Sequence, residues 1–248
     1  MPRKVQPMAK AEVREGEESL PTSKTTPGSA PHTRSTSGGD LSHLALKACL
    51  IARDAAFNVR DLLTNSSRMA FLAIKDCEKE LDLIERQIDE RLPAAITRVN
   101  ETRARQLLSS LKSTTDLERI GDLVMSVALR VQARTAKIPQ SDVRQLVEMS
   151  SILREMLDLV HTGFSNLDLD CARKVLQMDK EIDRICHSLF QKHLAETVSQ
   201  GDTSHFEILL MAQALERAGD HATNLAEDLY SLIEGRSLRH MPKKKAAN

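Results

Sequence analysis

From Leu41 to Gly235 the chain carries an almost unbroken helical periodicity, and that pattern occurs twice. CEKELD at residues 77–82 resembles MDKEID at 178–183, and DLERIGD at 116–122 resembles ALERAGD at 214–220. The offsets are 101 and 98 residues, so two landmarks recur in the same order at nearly the same spacing. Self-similarity at a fixed period marks a duplicated structural unit. Only Pro93 and Pro139 interrupt the run. Each unit reads as three helices, 41–64, 67–97 and 100–135, then 141–165, 168–199 and 203–234. Three antiparallel amphipathic helices bury their apolar stripes against one another as a bundle. Ser141-Asp142 reads as a helix N-cap. Gly163, Gly201 and Gly235 read as helix ends or turns, and Asn166-Leu167-Asp168 as a reversal. The predicted fold is therefore all-α: two tandem three-helix bundles, at 41–137 and 141–237, with six long antiparallel helices.

The flanks differ in composition. Residues 1–40 hold five of the eight Pro and four of the nine Gly. So little apolar surface does not offset the entropy of ordering, and a disordered tail is predicted there, with a transient helix allowed over 8–20. Residues 238–248 read as a basic C-terminal end. Between the flanks, Leu, Ala, Arg, Glu and Lys dominate, whereas aromatics are 2% of the chain with no Trp. That scarcity disfavours a β-sandwich or barrel. The charges balance, 35 basic against 35 acidic, leaving neither a basic field nor stacking rings for nucleic acid. No apolar run reaches the ~18 residues of a membrane span, and no secretory h-region opens the chain. Cys49, Cys77, Cys171 and Cys186 form no CxxC pair, which fits reduced core thiols in a cytoplasmic protein.

The chemistry-bearing residues are carboxylates set into apolar stripes. At 100° per residue, Glu118 and Asp122 fall between Leu111 and Met125 on the third helix, opposite Leu117, Ile120 and Val124. Arg119, Arg130 and Lys112 take the solvated side. Glu216 and Asp220 repeat the arrangement on the sixth helix, with Asn224 beside them and Glu227 in line. Glu78 and Asp82 flank Ile74, Leu81 and Ile88 on the second helix, and Glu85 and Asp89 continue that row. Asp179 and Asp183 hold the matching places on the fifth, where the row continues as Cys186 and Phe190. Residues at i and i+4 share a face, so four (E/D)xxxD pairs recur on neighbouring helices. Two such pairs facing each other repel unless a cation or an Arg compensates, and their oxygens suit a hard cation. Gly121 and Gly219, one at the same place in each motif, cost ~1 kcal/mol relative to Ala and imply close backbone approach or room for a bound group. A solvated charged face is the plainer reading of any single pair; the repetition weakens it. His221 points to the polar side. The sequence has no ExxH of the di-iron oxidases, no phosphate loop and no interpretable Ser/His/Asp or Cys/His set.

LERIGD in the first unit and LERAGDHATNLAEDLYSLIEGRSLRH in the second resemble the signature of the PhoU family of phosphate-transport regulators, over about 200 residues from Leu41 to His240. The resemblance implies two three-helix bundles side by side and multinuclear metal sites on the (E/D)xxxD motifs. One half-site would combine Glu118 and Asp122 with Glu78 and Asp82. The other would combine Glu216, Asp220, Asn224 and Glu227 with Asp179 and Asp183. Ser126 and Leu129 replace Asn224 and Glu227 in the first unit, so its site departs from the fuller pattern. The metal expected is a divalent or trivalent ion: iron, zinc, manganese or magnesium. The implied role is not enzymatic: a cytoplasmic adaptor linking a phosphate ABC transporter ATPase to a phosphate-sensing histidine kinase, a negative regulator of phosphate uptake. Long exposed helix faces permit a homodimer. A metal-carboxylate enzyme, or a helical scaffold regulating another transporter, are the alternatives.

Overall fold

The computed structural model describes residues 37–97, 99–134, 137–200 and 204–235. The predicted tail, apart from its last residues, and the basic C-terminal end lie outside the described residues, as does Gly201. Six helices follow in chain order: α1 Ser37–Asn65, α2 Arg68–Ile96, α3 Glu101–Ala133, α4 Gln140–Asn166, α5 Leu169–Gln200 and α6 Ser204–Glu234. α1 begins at Ser37 rather than Leu41, with Asp40 in its first turn, where an acid complements the helix dipole. No described helix is long and apolar enough to cross a membrane.

The helix ends follow from local chemistry. Ser67 caps α2 by accepting from the Ala70 N–H at 3.2 Å, and Asn100 caps α3 by accepting from the Arg103 N–H at 2.9 Å. Each caps an orphan donor of the first turn. α4 starts differently from expectation. Pro139 is its N-cap residue, and Asp142 lies in the first turn as a fully buried group. The two α-to-α reversals match: Ser66 (φ 50°) joins α1 to α2, and Leu167 (φ 54°) joins α4 to α5. Both are left-handed without being glycine. Gly235 ends α6 in the same conformation, at φ 69°. Gly163, expected at a helix end, instead sits inside α4. A β-carbon there would come 2.5 Å from Leu229 Cδ2 and 3.1 Å from Cys171 Cβ, so its smallness sets the approach of α4 to α5 and α6.

Within each repeat all three helices touch one another, and the repeats pack together through α1 on α4 and α3 on α6. Along α3 the stripe Leu117, Ile120, Val124 and Val127 is buried, and on α6 so are Leu215, Ala218, Ala222 and Leu229. The second α3 stripe is graded: Leu107 is buried, Leu111 and Met125 pack at the margin, and Leu129 is 52% exposed. Polar bridges cross the seam. Arg53 of α1 reaches Asp158 of α4 at 3.2 Å. Arg130, expected in solvent, is held by Glu207 of α6 at 2.8 Å. All four cysteines are free, with Cys49, Cys171 and Cys186 buried and Cys77 half-buried. Burial, then the charge of Asp158, pushes the Cys49 thiol up to about 12.

Candidate functional site

The glycines position the carboxylates. A β-carbon on Gly121 would lie 2.6 Å from Leu81 Cδ1, and one on Gly219 would lie 3.1 Å from Ile182 Cδ1 and 3.2 Å from Asp179 Oδ1. Leu81 and Ile182 are repeat equivalents, so each glycine admits the partner helix at the same register. That close approach brings Glu85 of α2 near Glu118 of α3, and Asp179 and Asp183 of α5 near Glu216 and Asp220 of α6. For Gly219 the second neighbour is itself an acid, so the glycine also leaves room for a carboxylate.

In the first repeat, Glu118 is half-buried and its carboxyl is pushed up to about 7, by burial first, then by Asp122 and Glu85. Arg119 answers it, with Nε 3.6 Å from Glu118 Oε2 and a guanidinium nitrogen 3.5 Å from Asp122 Oδ2. Asp82 is bonded by Arg86, one turn along α2. Glu78 is half-buried on the same helix. The first row is thus acidic but served by two of its own arginines.

The second row lacks that service. Among the described residues, no Lys or Arg lies within ion-pairing distance of Asp179, Asp183, Glu216 or Asp220. Asp179 Oδ1 is buried with no hydrogen-bond partner. Its carboxyl is pushed up to about 6, by burial first, then by Asp183, Asp220 and Glu216. Glu216 and Asp220 are also raised, by burial and then by neighbouring acids. An open cleft of about 470 Å³ adjoins them, lined by Asp183, Cys186, His187, Phe190 and Glu216.

One member of the expected second set, Asn224, turns elsewhere, together with His221. Asn224 Nδ2 donates to Asp116 Oδ1 of α3 at 3.2 Å, and His221 Nδ1 lies 2.7 Å from the same oxygen. Both therefore serve the seam between repeats. Glu227 lies further along α6, and its carbonyl accepts from Ser231 Oγ at 2.9 Å. Among the described residues, no three His, Cys, Asp or Glu side chains converge as ligands of one ion.

Sequence reasoning missed a second polar cluster. Asp142, fully buried, lies 2.5 Å from Lys192 Nζ and 3.1 Å from His193 Nε2. His193 is itself fully buried, and its Nδ1 lies 2.7 Å from His205 Nδ1. At the repeat spacing these two histidines stand where the first repeat has Leu92 and Leu107, both buried. Aligning the repeats beyond their motifs would have shown two histidines in core positions.

These features define a class: a duplicated all-α protein of two packed three-helix bundles, each with a carboxylate row laid over a helical glycine. The PhoU domain model matches residues 46–131 and 146–229, and the chain belongs to that family. A phosphate-specific transport system accessory protein PhoU homolog of Rhizobium meliloti is 32% identical over 189 residues, spanning 73% of this chain and 78% of that protein. The homolog from Pseudomonas aeruginosa is 28% identical, over 81% of this chain and 84% of its own. In fold the chain is similar to the crystal structure of PhoU from Pseudomonas aeruginosa, with a TM-score of 0.72 at 24% identity, covering 81% of this chain and 98% of that one. It is equally similar to the phosphate transport system regulatory protein PhoU from Streptococcus pneumoniae, with a TM-score of 0.73 at 20% identity, covering 81% and 97%.

Proposed function

We propose that this chain is a regulatory adaptor of a phosphate transport system. In the cytoplasm it would join the ATPase of a phosphate ABC transporter to a phosphate-sensing histidine kinase and restrain phosphate uptake and starvation signalling. The observation that carries this reading is the duplicated PhoU domain, shared with accessory proteins of phosphate transport along most of their length. The chemistry of the chain supports an adaptor over an enzyme. Burial pushes the thiols of Cys49, Cys77 and Cys186 up to between about 11 and about 12, far from nucleophilic at neutral pH. Exposed Phe57 and Met69 on α1 and α2 offer apolar contact for a second copy or a partner. Deleting the gene in its native host is expected to switch phosphate-starvation genes on at high phosphate. An unchanged phosphate response in the deletion strain overturns the reading.

The carboxylate rows support a metal role within the same reading. Asp179, Asp183, Glu216 and Asp220 offer only oxygen donors, and the orphaned Asp179 oxygen is a group that a cation would satisfy. Iron, zinc, manganese or magnesium bound there would supply positive charge tying α5 to α6. Glu78, Asp82, Glu118 and Asp122 form the weaker candidate, because Arg86 and Arg119 already neutralise part of it. Asn224 contributes only by leaving Asp116. Elemental analysis of the Glu216→Ala/Asp220→Ala variant is expected to show less bound metal than wild type, and a larger loss than Glu118→Ala/Asp122→Ala. Equal metal content in all three proteins removes the assignment.

A further inference from the structure

The carboxylate row of the second repeat covers only half of its face, and the other half is apolar. At 100° per residue, Asp179, Asp183, Phe190 and Leu194 of α5 fall within about 60° of one another. On α6, Phe206, Gln213, Glu216 and Asp220 fall within about 80°. His193 of α5 meets His205 of α6, and Ile182 lies against Gly219, so the two helices run antiparallel. The acids of both helices therefore lie at one end of the face and the apolar residues of both at the other. Leu194 is 61% exposed and Phe206 49%, with Leu210 beside it at 38%. Phe190 packs at the margin of the core. It also lines the open cleft with Asp183, His187 and Glu216, where the two halves meet. From Asp183 to Leu194 the rise is about 17 Å, three turns of helix.

The first repeat has no such division. At the repeat spacing Asp89, Pro93 and Lys112 stand where Phe190, Leu194 and Leu210 do, and Glu85 stands where Cys186 does. Only Phe206 keeps a large apolar counterpart, Leu108. Water covers a face charged along its length, whereas a contiguous exposed apolar patch rimmed by polar groups marks an interaction surface.

Charge selects the occupant. A second copy docked by the same face about a two-fold axis sets acids against acids or against hydrocarbon, and neutralises none. An anionic lipid surface is repelled by the acid half. A cationic amphipathic helix meets both halves, with Lys or Arg over Asp183, Glu216 and Asp220, and Leu or Phe over Phe190, Leu194 and Phe206. Arg217 flanks the acids and eases Glu216 and Asp220, yet it forms no ion pair among the described residues and the carboxylates outnumber it. A cavity of about 260 Å³ in the seam between the repeats has no Asp or Glu in its lining, so it offers a cation nothing comparable.

We infer that the α5–α6 face of the second repeat docks a helix of a partner protein, basic along one half and apolar along the other. The inference rests on the adaptor reading for the existence of a protein partner, and it gives that partner's chemistry. Cationic side chains there and a metal ion compete for the same acids.

Fluorescence anisotropy of the full chain in chelator tests it with three labelled 18-residue, alanine-based helical peptides. The first carries, on one face, three Lys in one half and three Leu in the other. The second has Glu for Lys, and the third has Ser for Leu. The first is expected to bind about tenfold or more tightly than either control. Leu194→Ser/Phe206→Ser and Glu216→Gln/Asp220→Gln are each expected to weaken it about tenfold. Asp76→Asn/Glu90→Gln, which removes two exposed acids of the first repeat, is expected to leave it unchanged. Leu194 and Phe206 are exposed, so that variant keeps its helical circular dichroism. No binding of the first peptide, equal binding of the three, or unchanged binding in either second-repeat variant overturns the proposal. So does a wild-type dimer that Leu194→Ser/Phe206→Ser dissociates, or binding to phosphatidylglycerol vesicles that this variant loses. The deletion strain tests the adaptor reading separately: starvation genes switched on there, with no peptide binding, sink the docking site alone.

Discussion

The two repeats share a backbone plan and a motif, yet they treat charge in opposite ways. In the first, Asp40 and Arg91 meet at 2.9 Å with both side chains about half exposed, and the leucines beneath them are plain core. In the second, the matching pair of Asp142 and Lys192 has its carboxylate fully buried, and histidines replace the leucines. The carboxylate rows differ in the complementary sense. Arg86 and Arg119 answer the first row, whereas His187 stands at the repeat position of Arg86, and Arg217, the counterpart of Arg119, forms no ion pair among the described residues. A duplicated fold thus sets arginines in ion-pair contact with one carboxylate row, and leaves the other repeat with buried charge at one end and, along its side, acids that Arg217 eases without an ion pair among the described residues. The second repeat is the one in which polar side chains do more than solvate a surface.

The largest test of that contrast is at the buried pair. Asp142→Ala leaves Lys192 and His193 facing a void, and removing one partner of a buried ion pair costs about 3 kcal/mol or more. Asp40→Ala in the first repeat breaks an exposed pair and is expected to cost below ~1 kcal/mol. Denaturant unfolding of both variants measures the difference; equal losses would break the comparison.

A smaller effect concerns the carboxylate rows, each of which holds one strongly raised carboxyl. Asp179 rises from 3.8 to about 6 on folding and Glu118 from 4.5 to about 7. Between those limits the folded chain holds more protons than the unfolded one, so stability falls as pH rises from about 4 to about 7. Asp179→Asn removes its share, and in chelator the variant is expected to melt higher than wild type at pH 8 and nearly alike at pH 4. Asp82→Asn, which loses only the Arg86 bridge, is expected to melt slightly lower at pH 8, by an amount corresponding to below ~1 kcal/mol. Thermal melts at the two pH values decide; a lower melting temperature for Asp179→Asn at pH 8 contradicts the account of an uncompensated row.

The six helices are legible in the order of the amino acids alone. Repeat spacing and periodicity place all of them to within a few residues, because the period of 3.6 and the caps at Ser67 and Asn100 are local properties. The carboxylate pairs are legible for the same reason: i and i+4 share a face wherever the helix goes. Which helix that face meets is not. Asn224 and His221 follow Asp220 on α6, yet they meet Asp116 of α3, because His221 lies about 100° round the helix from Asp220, and Asn224, one turn on, shares its side. Gly163 reads as a helix end in sequence, since only the packing of Leu229 and Cys171 against it explains a glycine inside α4. Asp142 reads as a cap, and burial beneath Lys192 and His193 makes it a core ion.

Residue order is enough to specify a duplicated, aromatic-poor, all-helical chain with paired acids at set places, because length, period and composition act through neighbours along the chain. Packing alone settles that Asp142 is a core ion held by Lys192, that Asn224 and His221 reach Asp116 of the other repeat, and that an acid-free cavity lies between the repeats. Those outcomes depend on distances between side chains about 50 to 110 residues apart, which no local period encodes.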